Sequence, residues 1–505
     1  MATLRESLDA VLTVDPAARA LEFEGRWRPW RDLLEMRHAI DDLLGSAGLG
    51  PGSPVGILLR NRPAPFEALL AVLATDRCVV TLNPFEGDAL LAGELTDLRL
   101  PVVLGERGDL ARPQLRAAVE SAGSMIVELH DAGPVPAGLG GALDRPGPGP
   151  HHPVQPGVAV KMLTSGTTGR PKRVDLSYRA LEASIEATTH YESGRTAGPV
   201  LHASAAILWT PLVHISGLYF AVHNTVGGHP TALLERFEVG RFVELVSEHR
   251  PKVLGLPPTA MRMVLDADVP ADAFAGVRAV RSGTAPLDPA LAEEWERRYG
   301  MPVLVTYGAT EFAGAVAGWS LKDHRAHGPS KRGSVGRAHP GVELRVVDPA
   351  DGRLLEAGQV GLLEVRAAQT GRDGWVRTTD LGELDGDGFL WIRGRADDAI
   401  IRGGFKIAPD TVAAALESHP AVKEASVVGA PDPRLGAVPV AAVELQPDAE
   451  PRPTADELLV WARDRLAAYQ VPVRLVVVDA LPRTPSMKVS QPGVRALFEA
   501  EDRTA

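Results

Sequence analysis

Cysteine is nearly absent from this chain of 505 residues, in which Cys78 is the only one. A disulfide within the chain is therefore excluded, and so is a structural zinc site that needs two or more of its own cysteines. Long apolar runs are also missing, so we expect no membrane-spanning helix. The first 20 residues mix charged and apolar side chains and lack the apolar core of a signal peptide. These absences predict a cytoplasmic protein, because a chain without disulfides fits a reducing compartment.

Positive charge is in deficit. The chain has 53 Lys and Arg against 64 Asp and Glu, which gives a formal net charge of -11. Because no net positive field attracts phosphates, we expect neither nucleic acid nor an anionic membrane surface as a partner. A local basic pocket for a nucleotide is compatible with this balance. Hydrophobic residues are 45% and charged residues 23% of the chain, which excludes a wholly disordered protein.

Strand-like and helix-like segments alternate in the first part of the chain. Short apolar runs predict buried strands, and apolar residues at helical spacing predict helices between them. The strands are expected over 54–59, 79–82 and 101–104, and the helices over 65–77 and 89–99. The pattern recurs as a strand over 277–280, a helix over 288–299 and a strand over 303–306. This alternation is typical of parallel βαβ units with helices on both faces of a sheet.

Two other regions differ from this pattern. The segment 131–157 is rich in Gly and Pro, which indicates a long surface connection inside the first domain, with a linker between domains as the alternative. From residue 398 onward the chain is predicted to form a separate α+β unit. Its helix follows Pro409, and its strands are expected over 425–428, 438–443 and 473–478.

A second helix is predicted near the C-terminal end of this unit. Thr454 and Glu457 have the spacing of a capping box, in which each side chain bonds the other residue's backbone N–H. We expect the following apolar residues to share one helical face: Leu458, Trp461, Leu466 and Tyr469.

The strongest local signal is a segment rich in hydroxyls and glycines. It contains Thr164, Ser165, Gly166, Thr167, Thr168, Gly169 and Lys172. The glycines let backbone N–H groups turn toward an anion, the hydroxyls donate to its oxygens, and the lysine adds charge. This combination suits a polyphosphate, although the spacing is not that of the Walker loop. An ordinary polar turn is the alternative reading.

This segment resembles the phosphate-binding loop of the adenylate-forming superfamily, which includes acyl-CoA ligases, peptide-synthetase adenylation domains and beetle luciferases. Further segments are similar to the family's motifs in order: 209–217, 282–287, 307–311, 379–381, 394–398, 402–407 and 482–488. The resemblance implies an α/β fold with a large N-terminal domain of parallel-sheet βαβ subdomains over 1–396. It also implies a small, mobile α+β C-terminal domain over 397–505 that rotates about a hinge at Asp397.

The resemblance assigns ATP or AMP binding to the glycine-rich loop and to residues further along the chain. The latter are Gly283, Thr284, Ala285, Pro286, Tyr307, Gly308, Ala309, Asp380 and Arg395. Tyr307 is expected to stack on adenine, Thr310 to donate to a phosphate and Glu311 to bind Mg2+. Asp380 and Arg395 are expected at the ribose. The alternatives are a core aromatic for Tyr307, a helix N-terminal charge for Glu311 and a surface ion pair for the other two.

Three further roles follow from the resemblance. Lys488 would be the catalytic lysine that bridges carboxylate and phosphate oxygens during adenylation, where the alternative is a solvated surface lysine. Gly403 and Gly404 would line the tunnel for the pantetheine arm of CoA, where missing side chains permit a close approach of the thiol. An ordinary turn is the alternative for the two glycines. His214 is a candidate catalytic gate residue, and a buried histidine is its alternative.

The acyl pocket is placed by analogy with the family at His214, Gly217, Leu218, Ala309, Ala313 and Gly314. A roomy apolar cavity, and hence a bulky or long hydrophobic acid, is predicted from small residues: Ala203, Ala205, Ala206, Ala309, Ala313 and Gly314. The segment 209–217 lacks the Asp that amino-acid adenylation domains usually carry there, which disfavours an amino acid substrate. The histidines have no metal-ligand spacing, so no zinc site is expected.

The resemblance implies an acyl-CoA ligase that uses ATP, Mg2+ and CoA. A carboxylate attacks the α-phosphate of ATP, and the thiol of CoA then attacks the acyl adenylate. One alternative is a stand-alone adenylation enzyme that loads a carrier protein, whose pantetheine arm would use the same tunnel. Another is a non-catalytic protein that binds a nucleotide or an acid. The presence of Lys488, Glu311 and Asp380 argues against that second alternative.

Three glycines that are usual in the family are replaced here, by Arg173, Thr379 and Met487. Each replacement adds a side chain where the family keeps the backbone close to ATP. Arg173 either strengthens phosphate binding or crowds its loop. Met487 stands next to Lys488, and a displacement of ~1 Å there can cost on the order of 100-fold in rate. A further hypothesis is therefore that adenylation is weak or lost, while thioesterification of a supplied acyl adenylate is retained.

Overall fold

The computed structural model describes residues 2–130, 137–138, 145–163, 173–189, 198–396, 399–402, 405–432, 434–484 and 488–501. By their contacts, these residues form two compact units. The first contains the described residues within 1–164, 172–343 and 366–374, and the second contains those within 344–365 and 375–505. Among the described residues, no helix combines the length and apolarity that crossing a bilayer requires.

The first unit alternates helices and strands for most of its length. Its helices are α1 Leu4–Leu12, α2 Trp30–Ser46, α3 Pro63–Leu73, α4 Asp88–Leu98, α5 Arg107–Leu110, α6 Pro113–Ser121, α7 Tyr178–Thr189, α8 Ile215–Val226, α9 Val239–His249, α10 Pro258–Asp266, α11 Pro289–Tyr299 and α12 Leu321–His327. Short 3-10 helices lie at Ala271–Phe274, Thr310–Phe312 and Ala368–Thr370.

The strands of the first unit are β1 Arg19–Phe23, β2 Arg26–Pro29, β3 Pro54–Leu58, β4 Cys78–Leu82, β5 Val102–Glu106, β6 Met125–Leu129, β7 Ala137–Gly138, β8 Val158–Leu163, β9 Arg173–Ser177, β10 Ala206–Leu208, β11 Thr231–Leu233, β12 Val253–Gly255, β13 Ala279–Ser282, β14 Val303–Ala309, β15 Gly314–Gly318 and β16 Arg337–Ala338. They form three sheets, in the orders β7-β6-β5-β3-β4-β8-β9, β12-β13-β14-β15-β16 and β10-β11-β1-β2.

The seven-stranded sheet confirms the predicted βαβ alternation. The pairs β3/β4, β3/β5, β5/β6 and β4/β8 are parallel. Every residue of β3, of β4 and of the intervening helix α3 is buried, which is why their sequences are almost wholly apolar. Helix α3 begins at Pro63, two residues before its predicted start, because proline lacks the backbone N–H that the first turn leaves unbonded.

The second sheet repeats the unit on a smaller scale. Strands β12, β13 and β14 are parallel, and α11 connects the last two. Asp288 caps α11 by accepting from Ala290 N–H, and Gly300 ends it with a φ of 65°. Trp295 of α11 is fully buried in the core beneath this sheet. The predicted strand–helix–strand order over 277–306 is thus confirmed.

His339 follows β16 and is 6% exposed. Its burial and the nearby charge of Arg281 lower its pKa from 6.5 to about 4. The folded chain therefore keeps this imidazole neutral at a pH where the unfolded chain protonates it. The stability from the neutral ring is complete above pH 6.5 and is lost as the pH falls toward 4.

We expect the free energy of unfolding attributable to His339 to fall by about 2 kcal/mol between pH 7 and pH 5. Urea unfolding at both pH values, compared with a His339→Gln variant, measures this difference because other titrating groups are common to both proteins. His38→Gln, at an exposed position, is the matched control and should behave as the wild type. An equal pH dependence in wild type and His339→Gln would contradict the prediction.

The second unit contains β17 Glu343–Val347, β18 Val360–Arg366, β19 Val376–Leu384, β20 Leu390–Arg395, β21 Ile400–Arg402, β22 Phe405–Ile407, β23 Val422–Asp432, β24 Gly436–Leu445 and β25 Arg474–Val478, with helices α13 Pro409–Glu417, α14 Ala455–Arg463 and α15 Gln491–Glu501. Only the terminal residues Glu343 of β17 and Arg366 of β18 fall in the first unit. One sheet has the order β17-β18-β19-β20, and the other has the order β22-β21-β24-β23 with β25 beside β24.

The predicted α+β character of this unit is confirmed, and so is the capping box. Thr454 N–H donates to Glu457, and Glu457 N–H donates to Thr454 Oγ1. The predicted single helical face is wrong in its second half, because α14 ends at Arg463. Leu466 and Tyr469 lie beyond the helix, although both pack against the same core. The domain boundary at 397 and the hinge stay predictions, since Asp397 lies outside the described residues.

Candidate active site

Two segments predicted to bind adenosine lie at one edge of the second sheet. Ser282 of β13 pairs with Val305 of β14, so Gly283 is level with Thr306 and next to Tyr307. A Cβ on Gly283 would lie 2.7 Å from Thr306 Oγ1, which explains the glycine. Thr284 adopts a left-handed φ of 68° and turns the loop that leads to Ala285 and Pro286. The structure thus brings the 283–286 loop and Tyr307 together.

The chain reverses direction after Ala309, two residues beyond Tyr307. Thr310 and Glu311 form the 3-10 turn between β14 and β15, and Ala313 closes the turn with a left-handed φ of 53°. Glu311 is exposed, and Thr310 is partly buried. Because a Cβ on Gly308 would collide with the carbonyl of Gly314, this hairpin depends on a glycine at 308. The turn holds a hydroxyl and a carboxylate side by side at the end of a strand.

Gln369 supports this hairpin, and the sequence analysis missed it. Its side-chain amide donates to the carbonyls of Phe312 and Ala315 at 2.9 and 3.0 Å. The residue is 2% exposed, so these bonds are protected from water. A glutamine more than 50 positions away in sequence leaves no local pattern that would predict such a contact.

The segment 209–217 is fixed by Asn61, a second residue that the sequence analysis missed. The Asn61 amide donates to the carbonyl of Thr210 and accepts from Leu212 N–H. His214 follows as the N-cap of α8 and is partly buried. A Cβ on Gly217 would collide with the carbonyl of Pro211, so this glycine serves close backbone packing.

The predicted acyl-pocket residues differ in what surrounds them. Leu218 and Ala313 are fully buried in the core, and Ala309 is partly buried at the end of β14. A Cβ on Gly314 would lie 2.5 Å from Ser184 Oγ and 3.5 Å from the ring of Tyr219. The space directly beside Gly314 is therefore occupied.

Polar groups continue along α8 from this point. Tyr219 stacks on His223, with ring centroids 5.5 Å apart and planes 11° from parallel. The Tyr219 hydroxyl lies 3.5 Å from the carbonyl of Ser184. The neighbourhood of Gly314 is consequently aromatic and polar as well as apolar.

The phosphate loop itself lies outside the described residues from Thr164 to Lys172, but both of its flanks are described. Leu163 of β8 pairs with Arg173 of β9, so the two ends of the loop are hydrogen-bonded neighbours. The Arg173 guanidinium donates to the carbonyls of Lys161 and Thr81 at 2.9 and 2.8 Å, and it pairs with Glu94 of α4 at 2.5 Å. Its side chain is 12% exposed. This guanidinium binds the protein's own oxygens rather than being available for a phosphate.

The predicted ribose residues face each other in the second unit. Asp380 of β19 pairs with Arg395 of β20, and Arg395 Nε lies 3.8 Å from an Asp380 carboxylate oxygen. The backbone N–H of Asp380 donates to Thr378 Oγ1, which in turn donates to the carbonyl of Leu363. Arg395 Nη2 also donates to Thr379 Oγ1 at 2.5 Å. The structure therefore brings Asp380 and Arg395 together, with one threonine holding each.

Lys488 of the second unit pairs through its backbone with the segment at 483–484. The Thr484 N–H and hydroxyl both donate to the Lys488 carbonyl, at 2.7 and 3.2 Å. Arg483 forms a β-bridge with Val489, so the residue that follows Lys488 is paired as well. The Lys488 side chain is partly buried, and this burial lowers its pKa because it disfavours the charged amine. Met487 lies outside the described residues.

A charged network fastens this segment to the sheet. Arg483 pairs with Glu424 at 2.5 Å and approaches Glu444 at 3.7 Å. Glu444 also pairs with Lys423 at 3.0 Å and accepts from Leu481 N–H. Burial alone would raise the pKa of Glu444, but the bonds from Leu481 and Lys423 lower it. Because the charges are mutually paired, the network favours one position of Arg483.

A cavity of about 610 Å3 lies at the carboxyl ends of β3, β5 and β6, in the first unit. Its arginines are each paired with a carboxylate: Arg60 with Asp109, Arg62 with Glu106, Arg107 with Glu128 and Arg112 with Asp88. Because each guanidinium already has an anionic partner, the cavity is a network of ion pairs rather than an anion site.

Some predicted site residues cannot be placed. Gly403 and Gly404, expected at the pantetheine tunnel, lie outside the described residues, and so does the proposed hinge residue Asp397. The remaining predicted residues lie in two separate groups. Tyr307, Glu311 and their neighbours belong to the first unit, and Asp380, Arg395 and Lys488 belong to the second.

The two-unit α/β fold is that of a known class of nucleotide-using enzyme. The family model described as AMP-binding enzyme matches residues 8–373, and the model described as AMP-binding enzyme C-terminal domain matches residues 411–488. The chain belongs to this adenylate-forming family. The predicted family, the α/β fold class and the prediction of an enzyme are confirmed.

Individual relatives are more specific. The sulfoacetate–CoA ligase of Cupriavidus necator is 35% identical over 468 residues, with 88% of each chain covered. The fatty acid–[acyl-carrier-protein] ligase ScoC of Streptomyces coeruleorubidus is 30% identical over 505 residues, covering 96% of this chain and 94% of its own. These names describe the two relatives, which differ from each other in both the acid and the acceptor.

Solved structures agree over the whole chain. ATP-bound MatB from Rhodopseudomonas palustris superposes with a TM-score of 0.83 at 25% identity, covering 98% of this chain and 99% of its own. An o-succinylbenzoate coenzyme A synthetase from Bacillus subtilis, in complex with ATP and a magnesium ion, gives a TM-score of 0.77 at 25% identity, covering 97% and 99%. These relatives confirm ATP, Mg2+ and CoA as the small molecules that such enzymes use.

Proposed function

We propose that this protein is a complete acid–thiol ligase, which joins a carboxylic acid to CoA through an acyl adenylate. The observation that carries the proposal is the backbone pairing of Lys488 with Thr484. Thr484 binds the Lys488 carbonyl and Arg483 anchors this segment to the sheet, although Met487 stands where the family has glycine. Lys488 is thus fixed through its own backbone, which supports retained adenylation.

The chemistry has two steps. In the first, a carboxylate oxygen of the acid attacks the α-phosphorus of ATP, and the bond to the leaving pyrophosphate breaks. In the second, the CoA sulfur attacks the acyl carbonyl, the bond to AMP breaks, and the thiol proton passes to solvent. Both steps place negative charge on oxygens, which fixed donors and cations stabilise.

The described side chains divide this work. Lys488 would neutralise charge between the carboxylate and the α-phosphate, and Thr310 would donate to a phosphate oxygen. Asp380 and Arg395 would hold the ribose, and Tyr307 would stack on adenine. The exposed carboxylate of Glu311 offers the hard oxygen donor that Mg2+ prefers. When bound there, Mg2+ would supply positive charge to the phosphates.

The acid is proposed to be hydrophobic. Ala309 is apolar and partly exposed, but Leu218 and Ala313 are fully buried in the core, and Ser184 and Tyr219 occupy the space beside Gly314. The small residues alone therefore support less volume than the sequence analysis inferred. The relatives do not select an acid, because their named substrates range from sulfoacetate to a fatty acid.

A split assay on purified protein tests the proposal. One arm supplies a panel of hydrophobic and short polar acids with ATP, Mg2+ and CoA. The other arm supplies presynthesised acyl adenylate and CoA, and mass spectrometry detects acyl-CoA in both. We expect product in both arms with a hydrophobic acid. Product from the adenylate alone would instead establish the weak-adenylation alternative, and a preference for short polar acids would reject the hydrophobic substrate.

The acceptor needs its own comparison, because the relative ScoC is named as a ligase for an acyl carrier protein. The same acid and ATP are supplied with either free CoA or a pantetheinylated carrier protein. We expect the faster transfer to free CoA. Transfer to the carrier alone would identify a stand-alone adenylation enzyme, and binding of ATP without any product would favour a non-catalytic role.

A further inference from the structure

Thr379 stands in β19 where the family has glycine, and it does not merely fill space. Its hydroxyl accepts a hydrogen bond from Arg395 Nη2 at 2.5 Å. Its carbonyl accepts from the N–H of Ala396 at 2.7 Å, so Thr379 binds both the side chain of Arg395 and the backbone immediately after it. A glycine at 379 would keep only the backbone bond.

The position of Arg395 depends on such contacts. Its side chain is 35% exposed, and its Nε lies 3.8 Å from the carboxylate of Asp380, beyond direct hydrogen-bond range. A long side chain at this exposure has many rotamers in water, and fixing one costs conformational entropy. The bond from Thr379 supplies a fixed acceptor for one end of the guanidinium.

We propose that Thr379 is a positioning residue for ATP binding, which orients the Arg395 guanidinium through the bond to its hydroxyl. This inference rests on the proposed function, in which Arg395 meets the ribose. Thr379, which replaces the family's glycine, then adds a hydrogen-bond acceptor and does not impair the nucleotide site.

The test is the equilibrium dissociation constant for ATP with Mg2+, measured by calorimetry, which requires no knowledge of the acid. Thr379→Val keeps the size but removes the acceptor, Thr379→Ser keeps the acceptor, and Thr379→Gly restores the family residue. We expect Val and Gly to weaken ATP binding about fivefold and Ser to stay within twofold of wild type. Equal melting temperatures would show that all three variants fold.

A double-mutant cycle with Arg395→Gln shows whether Thr379 acts through Arg395. We expect Thr379→Val to have no further effect once Arg395 is replaced. If Arg395→Gln weakens binding but Thr379→Val or Thr379→Gly does not, the inference is wrong and the proposed role of Arg395 stands. If Arg395→Gln also binds ATP like the wild type, the proposed role of Arg395 fails and the inference falls with it.

Discussion

Replacing Lys488 by Ala is expected to lower the rate of adenylation by about 100- to 1000-fold, the usual cost of removing one group that stabilises transition-state charge. Thioester formation from supplied acyl adenylate should change by less than about threefold, because the bond between the α-phosphorus and pyrophosphate has by then been broken. The lysine charge would act only on the first step. The two steps are measured separately, by acid-dependent exchange of pyrophosphate into ATP and by acyl-CoA formation from the adenylate.

The matched control is Lys322→Ala, which removes the same charge from an exposed position in α12. It should leave both half-reactions unchanged. A Lys488→Ala variant that loses both steps equally would indicate a general disturbance of the fold. A variant that keeps full pyrophosphate exchange would remove Lys488 from the proposed chemistry altogether.

The backbone contacts of Lys488 allow the effect of Lys488→Ala to be assigned to the loss of its amine. Thr484 binds the backbone carbonyl of Lys488, not its amine, so replacing the side chain leaves these two hydrogen bonds intact. Arg483 remains paired with Glu424 and Glu444 for the same reason. The expected loss in Lys488→Ala can therefore be attributed to the amine, and Tm should fall little.

Much of the fold follows from the sequence because its strongest signals are local. The residues of β3, β4 and α3 are buried on every side, and continuous apolar composition at strand and helix lengths records this directly. The end of α14 shows the limit. Leu466 and Tyr469 continue the helical spacing of apolar residues, yet the chain leaves the helix after Arg463 and packs them, partly buried, from an irregular segment. Burial alone does not specify backbone conformation.

The candidate site likewise contains residues that the sequence predicts and residues that it does not. Motif residues such as Tyr307 and Lys488 were predictable because the resemblance gives them fixed spacing. Asn61 and Gln369 were not, because they bond backbone groups 151 and 57 positions away and follow no local pattern. The role of Arg173 also needed three dimensions, since its partners come from β4, α4 and β8.

Replacing Arg173 by Ala is expected to lower the free energy of unfolding by about 3 kcal/mol, near the lower end for a broken buried ion pair. The change leaves Glu94, whose side chain is 14% exposed, without its cation. It also removes the donors to the carbonyls of Thr81 and Lys161. Urea unfolding at neutral pH measures the difference. Arg116→Ala is the matched control, because its pair with Glu120 is exposed and should contribute less than about 0.5 kcal/mol.

The same variant distinguishes three roles of Arg173. Two of them, phosphate binding and crowding of the loop, were left open by the sequence, and the structure adds the third, an anchor for β9. A guanidinium that bound phosphate would lower ATP affinity on removal without lowering stability. A side chain that crowded the loop would improve ATP binding when replaced by Ala. An anchor for β9 lowers stability first, and Glu94→Gln should then reproduce part of that loss. Full stability in Arg173→Ala would contradict the role of Arg173 as an anchor. Coupled losses of stability in Arg173→Ala and Glu94→Gln would show that the arginine, which replaces the family's glycine, stabilises the strands that flank the phosphate loop.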